Sequence, residues 1–401
     1  MRAPALPIVT EPRARAPDSV RDGFVVRDRI VRAVPEELVD DWQGLAGQPG
    51  EANCFAEPWF VAAGLRNLAD GEVRLVEVRE DGLLIGLLPL CVAGHYGRIR
   101  VRHVENWQHY HDFLGTPLVR AGAEQAFWRA ILTHLDEADW AAGFLHASGL
   151  VEGGPVHRGL EAAARALGRG CPVVHRTVRA ELASNLSPAA YYESQVRKKK
   201  RKELKRLQNR LAELGEVTTR SLAGGDELGQ WIDAFLALER AGWKGRAGSA
   251  LGCAPATEAF FREAVNGAAV AGRLDFLRFD LDGRPIAMLV NFLAPPGAFS
   301  FKIAFDEAFA RFSPGVLIQL ENLQILARGD IEWMDSCAAE HHPMIDSLWG
   351  ERRSVVRVTV RLAGLRRGLA YYGCRALELA SAGRWAALTA LPTLIAAGEG
   401  A

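Results

Sequence analysis

The feature that most narrows what this chain can fold into is a duplication. Gly71, Asp81, Gly82 and Ile85 recur as Gly272, Asp282, Gly283 and Ile286, each displaced by 201 residues. Both copies read as a strand, an Asp-Gly turn and a second strand. Val73, Leu75 and Val78 alternate in one copy; Leu274, Phe276 and Phe279 alternate in the other. Asp-Gly supplies the positive φ that a tight hairpin turn needs. Upstream, Glu57-Pro-Trp59-Phe60 stands at the same offset from Glu258-Ala-Phe260-Phe261, each opening a helix. A helix and a hairpin repeated without a gap point to two copies of one unit, and 401 residues are enough for two domains.

Hydrophobic periodicity extends the pattern. In the first half it predicts helices over 35–45, 57–68 and 124–137, and strands over 72–79, 83–92 and 99–104. The last helix carries Trp128, Ile131, Leu132 and Leu135 on one stripe. In the second half it predicts a long helix over 189–214, a strand over 216–221 and helices over 226–239 and 256–266. A meander over 274–305, a helix over 313–327 and a strand over 331–335 follow. Helices, a meander and a further helix make a mixed α/β (α+β) class packed in layers. Periodicity breaks near 176–187, where Ser187-Pro188 opens the next helix. The expected division is a disordered tail over 1–21, domains over 22–180 and 187–361, and a basic helical tail over 362–401, docked on the body.

Charge and cysteine content exclude several classes. With 48 Lys+Arg against 48 Asp+Glu, bulk charge holds the chain to neither nucleic acid nor membrane. The six cysteines are scattered singly, which argues against a disulfide framework or a zinc knuckle and fits a reducing cytoplasm. No apolar run approaches the ~20 residues of a membrane-spanning helix. Walker, dinucleotide-binding Gly-x-Gly-x-x-Gly and Gly-x-Ser-x-Gly patterns are missing, as is a metal-ligand spacing around His109, His111, His341 or His342. No metal is expected.

Three segments could carry chemistry. A strand at 299–305 places Phe299, Phe301, Ile303 and Phe305 on one face and Ser300, Lys302, Ala304 and Asp306 on the other. A cleft floor has that character. Arg311-Phe-Ser313-Pro-Gly315-Val316 then enters an apolar helix, with serine suited to the cap and a terminus suited to phosphate. The second segment, Glu239 to Ser249, sets Trp243 and Lys244 between glycines as a pocket-shaping loop. In the third, basic residues from Arg197 to Arg210 surround a stripe of Leu204, Leu207 and Leu211. Such a face could hold phosphates of a nucleotide cofactor or of RNA.

The succession of basic helix, Trp243-Lys244-Gly, Gly283-Arg-Pro-Ile, Phe301-Lys302-Ile-Ala-Phe305-Asp306-Glu307, Ser313-Pro-Gly-Val316, Asp335-Ser-Cys and His342-Pro-Met-Ile-Asp346 resembles the CelD/BcsL-like acetyltransferase family. That family belongs to the GNAT superfamily and is related to the FemAB transferases, which carry two GNAT-like folds in tandem. Pro58-Trp59 and Asp112-Phe-Leu114 extend the resemblance into the first half. It implies tandem GNAT folds and N-acyl transfer, with acetyl-CoA or another acyl-CoA as co-substrate. The acceptor it implies is an amine of an amino sugar or another cell-envelope or polysaccharide precursor. For such a reaction the expected base is Asp306, at the end of the cleft-facing strand, followed by Glu239 and His342. Arg311, Ser313, Gly315 and Val316 would hold the cofactor; Trp243, Lys244, Ser249 and Lys302 would hold the acceptor. The family's phosphate signature, Gln/Arg-x-x-Gly-x-Gly/Ala, is altered here by one extra residue between Arg311 and Gly315. Association with polysaccharide-synthesis enzymes is an expected partnership, and DNA is not a partner. Two alternatives stand beside this reading: a non-catalytic scaffold binding an acyl carrier or synthase, and a FemAB-like transferase using aminoacyl-tRNA. Acyl-CoA is favoured over tRNA because the basic charge is concentrated on one segment.

Overall fold

In the computed structural model, which describes residues 19–21, 23–222 and 227–381, the first half opens with strands β1 (Ser19–Arg21) and β2 (Phe24–Val31). Helices α1 (Glu36–Ala46) and α2 (Pro58–Asn67) follow, then β3 (Val73–Glu80), β4 (Leu83–Ala93), β5 (His103–Asn106) and β6 (Leu118–Val119). Helix α3 (Glu124–Glu137), β7 (Phe144–Val151), α4 (Pro155–Ala166) and β8 (Val173–Leu182) complete it. The expected disordered tail lies outside the described residues up to 18, and Ser19–Arg21 pairs with β2.

The second half repeats the plan. It begins with α5 (Pro188–Gln195), α6 (Lys198–Ala212), β9 (Val217–Ser221), α7 (Leu228–Ala241), α8 (Trp243–Arg246) and α9 (Pro255–Val270). It continues with β10 (Leu274–Leu281), β11 (Arg284–Ala294), β12 (Gly297–Phe305), α10 (Pro314–Glu321), β13 (Trp333–Asp335), α11 (Pro343–Asp346) and β14 (Glu351–Arg361). Helix α12 (Leu365–Ser381) follows, burying Tyr371 and Cys374 against Phe144.

The duplicated turns form for the expected reason. Asp81 and Gly82 have φ of 49° and 82°; Asp282 and Gly283 have 50° and 74°. Strands β3–β4 and β10–β11 are thus equivalent hairpins, and even their bulges coincide. The register slips between Val78 and Arg79 in one and between Phe279 and Asp280 in the other.

Among the described residues all strands join one 14-stranded sheet, in the order β1-β2-β3-β4-β5-β7-β14-β8-β13-β12-β11-β10-β9, with β6 on β4. The centre of that order is an exchange. Strand β14, the last of the second half, lies antiparallel between β7 and β8, while β8 pairs with β13. The side chains exchange cores as well. Val356, Val358 and Val360 pack with Trp128 and Ile131 of α3, whereas Ala180 and Leu182 pack with Met334 and Trp349. A third core joins the halves directly. Helix α2 lies against its counterpart α9, with Phe60 and Phe260 edge to face at 5.4 Å and Trp59 against Phe292 at 5.0 Å.

Three local expectations need correction. The long helix over 189–214 is two helices, because Val196 leaves helical geometry (φ −89°, ψ 120°) to bury its side chain. The helix over 313–327 tightens into a 3₁₀ turn at Asn322–Ala327. Ser313 does not cap it: the residue is left-handed (φ 54°) and its hydroxyl makes no cap bond. The third concerns β12, whose alternation a bulge interrupts, with consequences for the site.

Candidate active site

Strand β12 pairs in parallel with β13 only from Gly297↔Trp333 to Phe299↔Asp335. Beyond that, Ser336 donates its N–H to Ala180 of β8, and the two strands part. From Ser300 to Phe305 one edge of β12 therefore has no strand beside it. On the opposite edge Asn291 faces Ser300 and Val290 faces Lys302, which leaves Phe301 as the extra residue of a bulge. The expected strict alternation fails there. Phe301 joins the inter-half aromatics (4.5 Å from Phe292), and Lys302 turns to the same side, its Nζ 4.8 Å from the Phe113 ring centre.

That orientation brings Lys302 to the first half. Its Nζ lies 3.1 Å from Nδ1 of His111. Burial, then Lys244, brings the Lys302 amine down to about 8. Burial, then Lys302, brings the imidazole of His111 down to about 3, and that of His109 to about 4. At neutral pH the ammonium thus donates to a neutral imidazole. The loop presenting His111 is held from the strand exchange: Arg179 of β8 donates to Phe113 O (2.9 Å) and to the buried Asp335 (2.6 Å). Desolvation of the neighbouring Asp112 raises its carboxyl to about 8.

Glu239, in the last turn of α7, is 5% exposed and satisfied twice. One oxygen accepts from Lys244 Nζ at 2.7 Å and the other from Leu251 N–H at 2.8 Å. Lys244 Nζ also donates to Ile303 O at 3.3 Å, which ties this pair to β12. Next to His109 and His111 opens a cavity of about 510 Å³. Trp107 and Tyr110 line it from the first half, Ser249 and Thr257 from the second. A larger cavity of about 780 Å³ between α2 and α9 has its charges already in ion pairs, Arg66–Glu263 and Arg273–Glu57 within it and Arg262 with Asp233 and Glu258.

The other residues singled out in the sequence are placed as follows. Trp243 is 55% exposed, and its N–H donates to Glu307. Ser249 donates to Lys244 O. Asp306 is an N-cap, accepting from Ala308 N–H at 2.9 Å, and its other oxygen accepts from Arg284 at 2.6 Å. His342 precedes α11, with Nδ1 buried and without a hydrogen-bond partner. Arg311 stacks on Phe312. Gly315 faces Phe305, whose ring a Cβ would meet at 3.2 Å, and Val316 begins the apolar face of α10. The structure therefore brings Glu239, Lys244 and Lys302 together, with Ser249 on the adjoining cavity. The sequence alone offers His109 and His111 only as metal ligands, and no local pattern marks the contribution of Trp107, Tyr110 and His111. Among the described residues no group of three His, Cys, Asp or Glu is placed to hold a metal.

Residues 198–342 match the acetyltransferase (GNAT) domain family. FemX, 9% identical, superposes with a TM-score of 0.56, covering 83% of this chain and 98% of its own. A conserved protein of unknown function from Bacteroides thetaiotaomicron VPI-5482, 11% identical, does so at 0.54 over 82% and 99%. A tandem GNAT protein from the clavulanic acid biosynthesis pathway is 19% identical, with a TM-score of 0.42 over 83% and 98%. No curated protein matches the chain. Over most of its length the chain has the fold of FemX, and the acetyltransferase (GNAT) domain over 198–342 marks an N-acyltransferase.

Proposed function

We propose that this N-acyltransferase moves an acyl group from a phosphopantetheine thioester, of which acyl-coenzyme A is the reference form, to an amino sugar or related envelope precursor. The resemblance to CelD/BcsL-like enzymes supports that acceptor class. One observation carries the reading of the site: the unpaired edge of β12 lies where Lys302 meets His111, beside a cavity built by both halves. A thioester laid along that edge would meet the acceptor amine at the cavity.

The chemistry is nucleophilic acyl substitution. The neutral amine attacks the thioester carbonyl, forming the C–N bond; the C–S bond then breaks, and the thiolate leaves to be protonated. The amine's proton needs an acceptor within hydrogen-bond reach. Of the three candidates, Glu239 is the buried one held against the middle of β12 through Lys244, whereas Asp306 lies past the end of β12 against the exposed Arg284 and His342 lies at α11. Glu239 is therefore proposed as the base. Lys302 is proposed to stabilise the developing oxyanion, together with backbone N–H groups freed by the bulge and the open edge. Trp243, Lys244 and Ser249 would shape the acceptor's surroundings, and Arg311, Ser313, Gly315 and Val316 the donor's phosphate end.

The test is an acetyl-transfer assay against a panel of amino sugars with acetyl-coenzyme A. Glu239→Gln should cut turnover by about 10²–10⁴-fold. Wild-type turnover by Glu239→Gln, Asp306→Asn and His342→Gln alike would defeat the assignment of the base.

A further inference from the structure

Helix α6 buries Leu204, Leu207 and Leu211 and exposes Lys198, Lys199, Lys202, Lys205, Arg206 and Arg210, with Arg197 exposed just before it. Among the described residues none of these seven cations is in an ion pair. Lys198, Lys202, Arg206 and Arg210 follow one another at i, i+4, where like charges repel. Glu203 is the single acid in the helix. The isolated fold gains nothing from this arrangement.

The helix also has a telling neighbour. Leu204 and Leu211 share a core with Phe312, and α6 packs on the 3₁₀ turn Glu307–Phe312 that leads into α10. That start is poorly equipped for a pyrophosphate. Pro314 has no N–H, and Val316 and Leu317 both donate to Ser313 O, which leaves one first-turn amide, that of Gly315. A small dinucleotide-like donor would find one amide there, while the cations extend away along a helix about 22 Å long. That span suits the face of a protein.

We propose that the cationic face of α6, with Arg197, is the docking surface for an acidic carrier protein that delivers the acyl thioester on a phosphopantetheine arm. The proposal rests on the acyl-transfer reading above and names the carrier of its donor. The single phosphodiester of such an arm needs little from α10, and the carrier's carboxylates meet α6. The arm runs past Gly315 to Ile303 and Phe305 on the open edge of β12, the two strand residues nearest that glycine. RNA fits less well. Its phosphates call for cations spread over several elements, and α6 contains no aromatic residue on which a base could stack.

Binding and transfer are measured separately, on the full chain. Titration with a holo-acyl carrier protein should give micromolar affinity, weakened at least about tenfold in Lys202→Glu/Arg206→Glu and by raised salt. The charge-keeping pair Lys202→Arg/Arg206→Lys should retain binding; both positions are exposed, and thermal melts check the fold. In transfer assays kcat/KM for the acyl carrier protein should fall at least about tenfold in the charge-reversed variant relative to that for acyl-pantetheine. No carrier binding, binding indifferent to charge reversal, or α6-dependent binding of bulk tRNA with the carrier silent would each overturn the proposal. A wild-type protein that binds the carrier but acylates no amine from any thioester would defeat the transfer reading and leave the docking surface standing.

Discussion

Lys302 owes its position to one inserted residue. Without the bulge at Phe301, the alternation read from the sequence would send Phe301 and Lys302 to opposite faces. As built, its ammonium faces His111 among aromatic rings, and the amine sits near 8 because that site is dry. Lys302→Met is expected to lower acyl transfer about 10²-fold or more while leaving the fold intact, as read by turnover and circular dichroism. The two histidines make a pH-dependent contribution to stability. Their folded pKa values, about 3 for His111 and 4 for His109, lie below the ordinary 6.5. Between those values the unfolded chain binds more protons at these two sites, so their contribution to stability rises with pH from about 4 to 6.5. Desolvated Asp112 and Glu51, raised to about 8 and 7, pull the other way, so the check is a difference: the stability of the wild type relative to His111→Gln, read by melting temperature, should rise across that window. An unchanged profile in the variant would place the acid sensitivity elsewhere.

At the scale of the element, the two hairpins carry the repeat. Gly82 and Gly283 occupy a region that a side chain enters only with strain, and nothing else lies within 4 Å of a Cβ there. Gly283→Val should therefore cost about 1–2 kcal/mol through backbone conformation alone, measured by denaturant midpoint. Gly267 in α9 is a different case. A Cβ would meet Trp59 of α2 at 2.9 Å, so Gly267→Leu should push the paired helices apart and weaken the junction of the halves. These hairpins, and helices α1, α2, α3, α7 and α9, were legible because their signals are local: turn φ, period two, period 3.6. The break at Val196 and the 3₁₀ turn at Asn322 were not. In both, burial against distant residues outweighs a good local helical pattern.

For the whole molecule, the exchange of β8 and β14 makes the halves interdependent. Each core contains apolar side chains from the other's last strand, and the buried pair Arg179–Asp335 joins β8 to β13. A single cooperative unfolding transition is expected. A chain ended at Gly350 should lose hydrogen-exchange protection in β7 as well as β8, since β14 bonds to both. Protection of β7 surviving that truncation would show that the first half folds alone. Arg179→Met should cost about 3 kcal/mol or more, because it leaves Asp335 buried beside only the more distant Arg353, at 3.8 Å.

The sequence by itself determined the duplication, the mixed α/β class, the hairpins and the segments around Glu239, Lys244 and Lys302. Each is written in residues that act on their near neighbours, so spacing suffices to read it. Tertiary structure alone decided that the halves trade their last strands, that β12 parts from β13 after Phe299, and that His111 meets Lys302 across 191 positions. A strand's pattern says which face it buries but not which strand it will lie beside. That partner is chosen by the fit of apolar surface and backbone hydrogen bonds between segments far apart in the chain, which no local period records.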